Sequence, residues 1–242
     1  MRSPARWVRA WRSIGLAVGA TLCFGSASAS ALSVLCIGDS LTESYPEIDT
    51  YCKQSAHDTI NISTAGATSG YWRQEIHNFD SLIEGRTVTV MLGINETYYQ
   101  LLPDTVERSF NQLFDQLDDA DDIILHIPPY WQGEPDDIAV FDFTVEELNI
   151  TLDTYIPRMF KLVAERDDVR LGLDWRTLDL PFFPDRDAPG NTWFDLVHPS
   201  TYAHSLATPL IDEIIGPEPN TALLLSLGLV GMAAKRRRSL RS

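Results

Sequence analysis

The sequence predicts a three-layer α/β fold in which helices cover both faces of a flavodoxin-like, five-stranded parallel sheet. Five short segments are aliphatic or β-branched on both faces, as buried parallel strands are, and helical patterns alternate with them. No internal repeat or linker interrupts this alternation, which favours a single domain over residues 32–216. The predicted strands are 33–37, 59–62, 87–92, 122–127 and 169–173, and the predicted helices are 69–83, 104–118, 144–166 and 201–215.

The strands are predicted from apolar runs that stop abruptly at polar or glycine residues. In chain order they read "SVLCI", "TINI", "TVTVML", "DIILHI" and "VRLGL". Two of the helices carry local signals of their own. Ser200 can cap the last helix, which begins at Thr201, and Pro157 is expected to kink or split the third helix because it lacks a backbone N–H.

The N-terminus has the three parts of a secretory signal peptide. Four arginines precede the apolar run "IGLAVGATLCF", and the small-residue stretch "GSASASA" follows it. The run has 11 residues, well short of the ~20 that span a bilayer. We therefore predict a signal peptide over residues 1–31, with cleavage after Ala29 or Ala31.

The C-terminus carries a second pattern of three parts. "GPEPNT" at 216–221 precedes the apolar "ALLLSLGLVGMAA", and the basic "KRRRSLRS" ends the chain. This arrangement resembles the PEP-CTERM sorting signal of Gram-negative bacteria, with Pro217, Glu218 and Pro219 at the motif's three positions. The resemblance implies a short membrane helix, an exosortase-type processing enzyme as partner, and export to the cell envelope, surface or extracellular matrix. Residues 217–242 are accordingly assigned to a sorting signal.

The segment between the two ends is strongly acidic. Nine of the 19 basic residues but only one of the 34 acidic residues lie in the terminal segments, so residues 32–217 carry a net charge of −23. Such a surface repels polyanions, which excludes nucleic acid as an expected partner and disfavours anionic lipid.

Two cysteines, Cys36 and Cys52, remain after removal of the signal peptide. An exported chain permits a disulfide between them. Cys36 lies in a predicted central strand, however, where a buried free thiol fits equally well, and the sequence leaves both alternatives open. No spacing of Cys and His indicates a zinc site, and we expect neither a metal nor a cofactor.

Polar residues and a glycine follow four of the predicted strands. Ser40 follows the first strand, Gly66 the second and Asn95 the third, while Asp195 and His198 come after the fifth. Each has an ordinary structural explanation as a turn or capping residue. Because ligands on open parallel sheets bind at the carboxyl ends of the strands, their shared edge predicts a functional site.

These residues carry a family resemblance. The chain is similar to SGNH hydrolases, the GDSL esterase and lipase family, whose nucleophile block reads "GDSL" as residues 38–41 do. Gly66, Asn95 and the Asp195-x-x-His198 pair match the remaining blocks in the family's order. One departure is that the third block, usually Gly-x-Asn-Asp, here ends in Glu96, which leaves the loop's usual contacts open.

The resemblance implies a Ser-His-Asp mechanism. Ser40 would be the nucleophile, His198 the base that takes its proton, and Asp195 the carboxylate that orients the imidazole. The oxyanion would be bound by the backbone N–H groups of Ser40 and Gly66 and by the side-chain amide of Asn95.

Four other histidines are candidates for the catalytic role. His57 and His77 have no acidic residue at useful spacing. His126 ends the fourth strand at the active edge, where it could contact substrate, and His204 is expected to pack on the last helix or face solvent. Asp39 is expected to brace the nucleophile turn through backbone hydrogen bonds.

Aromatic residues lie near the expected cleft: Tyr130, Trp131, Trp193 and Phe194. They could stack on a sugar, line an acyl pocket or merely cover the sheet edge. We predict an exported serine ester hydrolase that removes acyl groups such as acetyl from a carbohydrate. The alternatives are a short-chain lipase or thioesterase, and a surface protein that keeps this fold to bind glycan without catalysis.

Overall fold

The computed structural model describes residues 32–134, 137–140, 143–183 and 191–216, and all structural statements refer to them. The predicted signal peptide, 1–31, and the predicted sorting signal, 217–242, lie outside these residues. The strands are β1 (Ser33–Gly38), β2 (Asp58–Asn61), β3 (Thr87–Met91), β4 (Asp122–Ile127), β5 (Ile138–Val140), β6 (Phe143–Thr144) and β7 (Val169–Asp174). The helices are α1 (Tyr51–Gln54), α2 (Ser69–Glu75), α3 (Asp80–Ile83), α4 (Ile94–Tyr98), α5 (Pro103–Phe114), α6 (Val145–Glu165) and α7 (Thr201–Ile215).

Five strands form one parallel sheet in the order β2-β1-β3-β4-β7. The strands β1 and β3 at its centre are buried along almost their whole length, because helices cover both of their faces. On one side α1 packs against α7, and on the other α5 packs against both α2 and α6. The predicted three-layer α/β fold with a five-stranded parallel sheet is confirmed.

The helices follow the predicted segments with local differences. The segment 69–83 is divided into α2, a 3-10 turn at Ile76–Phe79 and α3. Helix α6 starts at a capping box, in which Thr144 and Glu147 satisfy each other's backbone N–H groups. It then continues through Pro157 without splitting. The short elements α1, α4, β5 and β6 were not predicted, since none is long enough to show a clear hydrophobic period.

A disulfide joins Cys36 of β1 to Cys52 of α1. Both residues are buried. The bond itself resolves the two alternatives that the sequence left open, in favour of the disulfide. The bond ties the strand that leads to Ser40 to a helix on one face of the sheet. No helix among the residues that the structure describes is long and apolar enough to cross a membrane; the apolar run at 222–234 lies outside them.

Candidate active site

A cleft of about 360 Å³ opens at the carboxyl edge of the sheet. Its size falls at the lower end of the range typical of small-molecule sites. Four residues that the sequence singled out, Ser40, Asn95, Asp195 and His198, line it together. The remaining wall is mainly apolar and aromatic, formed by Ile94, Tyr98, Trp131, Leu196 and Val197.

Ser40 lies in the turn that follows β1. The backbone N–H groups of Thr42 and Glu43 both donate to the carbonyl of Asp39, at 3.0 and 2.9 Å. The side chain of Asp39 is fully buried and its Oδ1 accepts the N–H of Leu41 at 2.9 Å. Burial raises the pKa of this carboxyl well above its ordinary value. Asp39 therefore braces the turn that presents Ser40.

Gly66 lies in the turn after β2, which closes with a hydrogen bond from the N–H of Ala67 to the carbonyl of Thr64 at 3.0 Å. Its φ of +74° is a conformation that residues with a Cβ rarely adopt. Within the described residues, the backbone N–H groups of Gly66 and Ser40 donate to no protein acceptor. Both are thus available to an oxyanion.

Asn95 lies in the first turn of α4, directly after β3. Its Nδ2 donates to the carbonyl of Ala67 at 3.1 Å, so the amide is fixed against the turn that contains Gly66. One amide hydrogen is used in this bond, and Nδ2 carries a second. The neighbouring Glu96 is fully buried, and its Oε1 accepts the backbone N–H of Ser69 at 2.6 Å.

Asp195 and His198 are brought together by a tight loop. The loop is closed by hydrogen bonds from the N–H of Phe194 to the carbonyl of His198 and from the N–H of Ser200 to the carbonyl of Thr192, both 2.8 Å. Inside it, Asp195 Oδ2 lies 2.7 Å from His198 Nδ1. A tight loop, and not one turn of a helix, therefore brings the expected carboxylate and imidazole together.

The Asp195 carboxylate also accepts two backbone N–H groups, from Val197 at 2.8 Å and from His198 at 2.7 Å. Partial burial by itself would raise the pKa of this carboxyl, but the hydrogen bonds from the His198 ring and these amides outweigh it and lower the pKa below its ordinary value. The carboxylate thus stays ionised and accepts the proton on Nδ1, which leaves Nε2 of His198 as the basic nitrogen.

Nε2 of His198 has no hydrogen-bond partner among the described residues. Ser40 lines the same cleft, although no hydrogen bond joins Ser40 to His198 in the described structure. Catalytic hydrogen bonds often form only in the complex with substrate. The lack of a bond between Ser40 and His198 is therefore compatible with their roles as nucleophile and base.

The four aromatic residues considered as substrate contacts occupy different places. Trp131 lines the cleft and is held there by Thr97, which accepts from its Nε1 at 3.1 Å. Tyr130 and Trp193 instead line a separate cavity of about 200 Å³. Phe194 is half-buried and is not among the lining residues of either cavity.

The rival histidines are placed away from the cleft. His126 and His204 are buried, and burial lowers the pKa of each to about 3. Their Nδ1 atoms accept backbone N–H groups, from Leu173 at 2.8 Å and Tyr51 at 3.2 Å respectively. His126 therefore packs in the core rather than at the sheet edge. His57 lies beside Asp212, and His77 is exposed on the 3-10 turn after α2.

Several cleft residues were not identified from the sequence: Ile94, Tyr98, Leu196 and Val197. Ile94 precedes Asn95, and Leu196 and Val197 lie between Asp195 and His198, so the neighbours of recognised residues were the available signal for these three. Tyr98 lies three residues after Asn95, at the end of α4. In the described part of the chain, no group of three or more His, Cys, Asp or Glu side chains is placed to hold a metal ion.

Solved structures with a similar fold include an acetylxylan esterase and a member of the lipolytic protein G-D-S-L family. Axe2, an acetylxylan esterase from Geobacillus stearothermophilus, has a TM-score of 0.58 at 19% identity, over 78% of this chain and 96% of Axe2. A member of the lipolytic protein G-D-S-L family from Veillonella parvula DSM 2008 has a TM-score of 0.59 at 15% identity, over 76% of this chain and 98% of that protein. The fold is therefore that of SGNH hydrolases.

The sequence comparisons address the C-terminus. Residues 217–238 match the PEP-CTERM protein-sorting motif, as the sequence predicted. The match indicates export and membrane-anchored processing. A search of curated proteins finds no match.

Proposed function

We propose that this protein is an exported serine ester hydrolase that removes small acyl groups, such as acetyl, from a carbohydrate. The observation that carries the proposal is the single cleft lined by Ser40, Asn95, Asp195 and His198. Within it, Asp195 is bonded to His198 Nδ1 at 2.7 Å. A nucleophile, an oriented base and oxyanion donors are the groups that acyl transfer requires.

The reaction begins with attack of Ser40 Oγ on the ester carbonyl, while His198 Nε2 takes the hydroxyl proton. Asp195 stabilises the resulting imidazolium. The oxyanion of the tetrahedral intermediate is bound by the N–H groups of Ser40 and Gly66 and by the Asn95 amide.

The intermediate then collapses. The bond to the alkoxy oxygen breaks, the alcohol leaves with the proton held by His198, and the acyl group remains on Ser40. Water attacks this acyl-enzyme with His198 as base, and a carboxylic acid departs as Ser40 regains its proton.

The carbohydrate ester is proposed from the cleft wall and from the comparisons. Tyr98 and Trp131 provide aromatic surface beside Ser40, and aromatic side chains are suited to pack on sugar rings as well as on acyl chains. Axe2 is an acetylxylan esterase, and its variants at a serine, an aspartate and a histidine are described as catalytic mutants. The net charge of −23 over residues 32–217 disfavours an anionic lipid surface as the substrate.

The proposed location is the cell envelope, cell surface or extracellular matrix of a Gram-negative bacterium. Residues 1–31 are proposed as the signal peptide, and an exosortase-type enzyme is proposed as the partner that processes the PEP-CTERM tail. The match to the sorting motif at 217–238 supports this location. An acylated glycan of the envelope would be accessible to the protein there.

Hydrolysis of p-nitrophenyl acetate by the full chain tests the enzyme proposal. We expect turnover that is lost in Ser40→Ala and retained in Ser44→Ala, a matched control at an exposed serine in the same loop. Turnover that survives in Ser40→Ala would defeat the proposal.

Comparison of p-nitrophenyl acetate, longer acyl esters and acetylated xylan tests the substrate class. Release of acetate from xylan with low activity on long acyl esters supports a carbohydrate deacetylase, whereas the opposite order supports a short-chain lipase or thioesterase. Binding of the glycan with no acetate release would indicate the non-catalytic alternative.

A further inference from the structure

Two hydrogen bonds join the segment after β3 to the segment after β2. Asn95 Nδ2 donates to the carbonyl of Ala67 at 3.1 Å, and Glu96 Oε1 accepts the N–H of Ser69 at 2.6 Å. Gly66 directly precedes Ala67, and Ser69 is the first residue of α2. The two segments that contain proposed oxyanion donors are therefore linked twice, by two adjacent residues after β3 and by two residues, one position removed from each other, after β2.

Glu96 is anchored on its own side of this link. Its backbone carbonyl accepts the N–H of Leu101 at 3.1 Å and the hydroxyl of Tyr155 at 3.2 Å. Tyr155 is a fully buried residue of α6. Because the backbone of Glu96 is held by α6, its side chain can fix the position of Ser69 and of the turn that precedes it.

The Glu96 carboxyl group is buried at a cost in free energy. The residue has no exposed surface, and Oε2 finds no partner among the described residues. Burial raises the pKa of this carboxyl, although the hydrogen bond from the Ser69 backbone N–H opposes the shift. Burial of an acidic group with one unsatisfied oxygen costs free energy. The stability of the fold therefore does not by itself explain why Glu96 is buried.

We propose that Glu96 is a positioning residue that sets the distance between the Gly66 N–H and the Asn95 amide through its bond to Ser69. The inference rests on the proposed function, and it gives a role to the residue at which the third block departs from the family pattern. Glutamate is one methylene longer than aspartate, and this extra length lets its carboxylate reach the N–H of Ser69. Catalytic geometry is sensitive enough that a misplacement of about 1 Å can cost roughly 100-fold in rate.

The test uses the full chain and three substitutions. Glu96→Gln keeps an oxygen that can accept from Ser69, so we expect kcat for p-nitrophenyl acetate within about threefold of the wild-type value. Glu96→Ala and Glu96→Asp remove the bond to Ser69 by deletion or by shortening, and we expect kcat to fall by about 10- to 100-fold with KM changed less than about twofold.

Thr208→Val is the control for a loss of stability alone. The Thr208 hydroxyl donates to the carbonyl of His204 at 2.7 Å in a buried part of α7 outside the cleft. We expect a lower melting temperature with unchanged kcat. A wild-type kcat in Glu96→Ala would overturn the inference, as would an equal loss in Glu96→Gln and Glu96→Ala.

Amide hydrogen exchange provides a readout that does not depend on esterase activity. We expect faster exchange over residues 66–70 in Glu96→Ala than in the wild type or Glu96→Gln. Unchanged exchange in that segment would also overturn the inference, whereas absence of esterase activity in the wild type would count only against the proposed function.

Discussion

Asp195 holds both the side chain and the backbone of His198. One oxygen of the carboxylate lies 2.7 Å from Nδ1 of the ring, and the other accepts the His198 N–H at 2.7 Å. The loop and the imidazole therefore have a common anchor. This arrangement directs the proton on the ring to Nδ1 and leaves Nε2 to act as a base.

Replacement of Asp195 by Asn should lower kcat for p-nitrophenyl acetate by about 10³- to 10⁴-fold, because an amide neither fixes the required tautomer nor stabilises the imidazolium. KM should change little. The control is Asp168→Asn, which removes a 2.7 Å ion pair with Arg166 away from the cleft. A loss of less than tenfold in Asp195→Asn would contradict the assigned role.

Trp131 should determine the size of acyl group that the cleft accepts, because its side chain is a buried part of the cleft wall. Trp131→Phe shortens this wall, so the ratio of kcat/KM for p-nitrophenyl butyrate to that for the acetate should rise by about 3- to 10-fold. Trp175→Phe, at a buried tryptophan lining the other cavity, should leave the ratio unchanged. Equal ratios in wild type and Trp131→Phe would contradict the prediction.

The disulfide between Cys36 and Cys52 should stabilise the fold without contributing to catalysis. Its partners are 16 residues apart, and closure of a loop of that size stabilises by about 3 kcal/mol. The Cys36→Ala/Cys52→Ala double variant should unfold at lower urea concentration and lose its sensitivity to reductant, with kcat unchanged. More than one free thiol in the denatured, unreduced full chain would show that the bond is absent, since Cys23 is the third cysteine.

His126 and His204 should make the fold sensitive to acid. Both have an ordinary pKa of 6.5 that burial lowers to about 3 in the folded protein. Below pH 6.5 the unfolded chain takes up protons that the native state does not. The stabilisation is therefore complete above pH 6.5 and is lost as the pH falls from 6.5 through 3, at about 1.4 kcal/mol per pH unit for each histidine.

Urea unfolding between pH 7.5 and 4.5 checks this prediction. Below pH 6.5, His204→Gln should reduce the slope of unfolding free energy against pH by about 1.4 kcal/mol per unit. His77→Gln, at an exposed histidine, should not change it. Buried Asp39 and Glu96, whose pKa values are raised, oppose the histidine effect, but their contribution is the same in wild type and variant. An identical slope in His204→Gln and the wild type would refute the assignment.

The C-terminal tail should be removed in a host that has an exosortase, with cleavage near Pro217. The match to the sorting motif at 217–238 supports this expectation. Intact-mass measurement of the mature protein checks it, and a mass that retains the basic cluster at 235–242 would contradict it. Glu218→Ala is the matched variant, in which the unprocessed form should accumulate.

Much of the fold was predictable because buried parallel strands have a strong local signature. The segment 122–127 was recognised as a strand with its observed bounds, and the residues after each strand could then be placed at one edge. His126 shows where this reasoning stops. The pairing of β4 with β7 shifts between Leu125 and Ile127, and a Cβ on Gly172 would lie 2.4 Å from His126 Nδ1. The glycine thus makes room for an inward-facing ring, a contact between residues 46 positions apart.

The sequence by itself determined the positions of the five sheet strands, the polar residues that follow them and the sorting motif, because these depend on local patterns and motifs. The tertiary structure decided which side chains share a space. It placed Trp131 in the cleft but Tyr130 in another cavity, and it paired Glu96 with Ser69 and Cys36 with Cys52. The physical reason is that such contacts depend on how distant segments pack, and no local pattern records that packing.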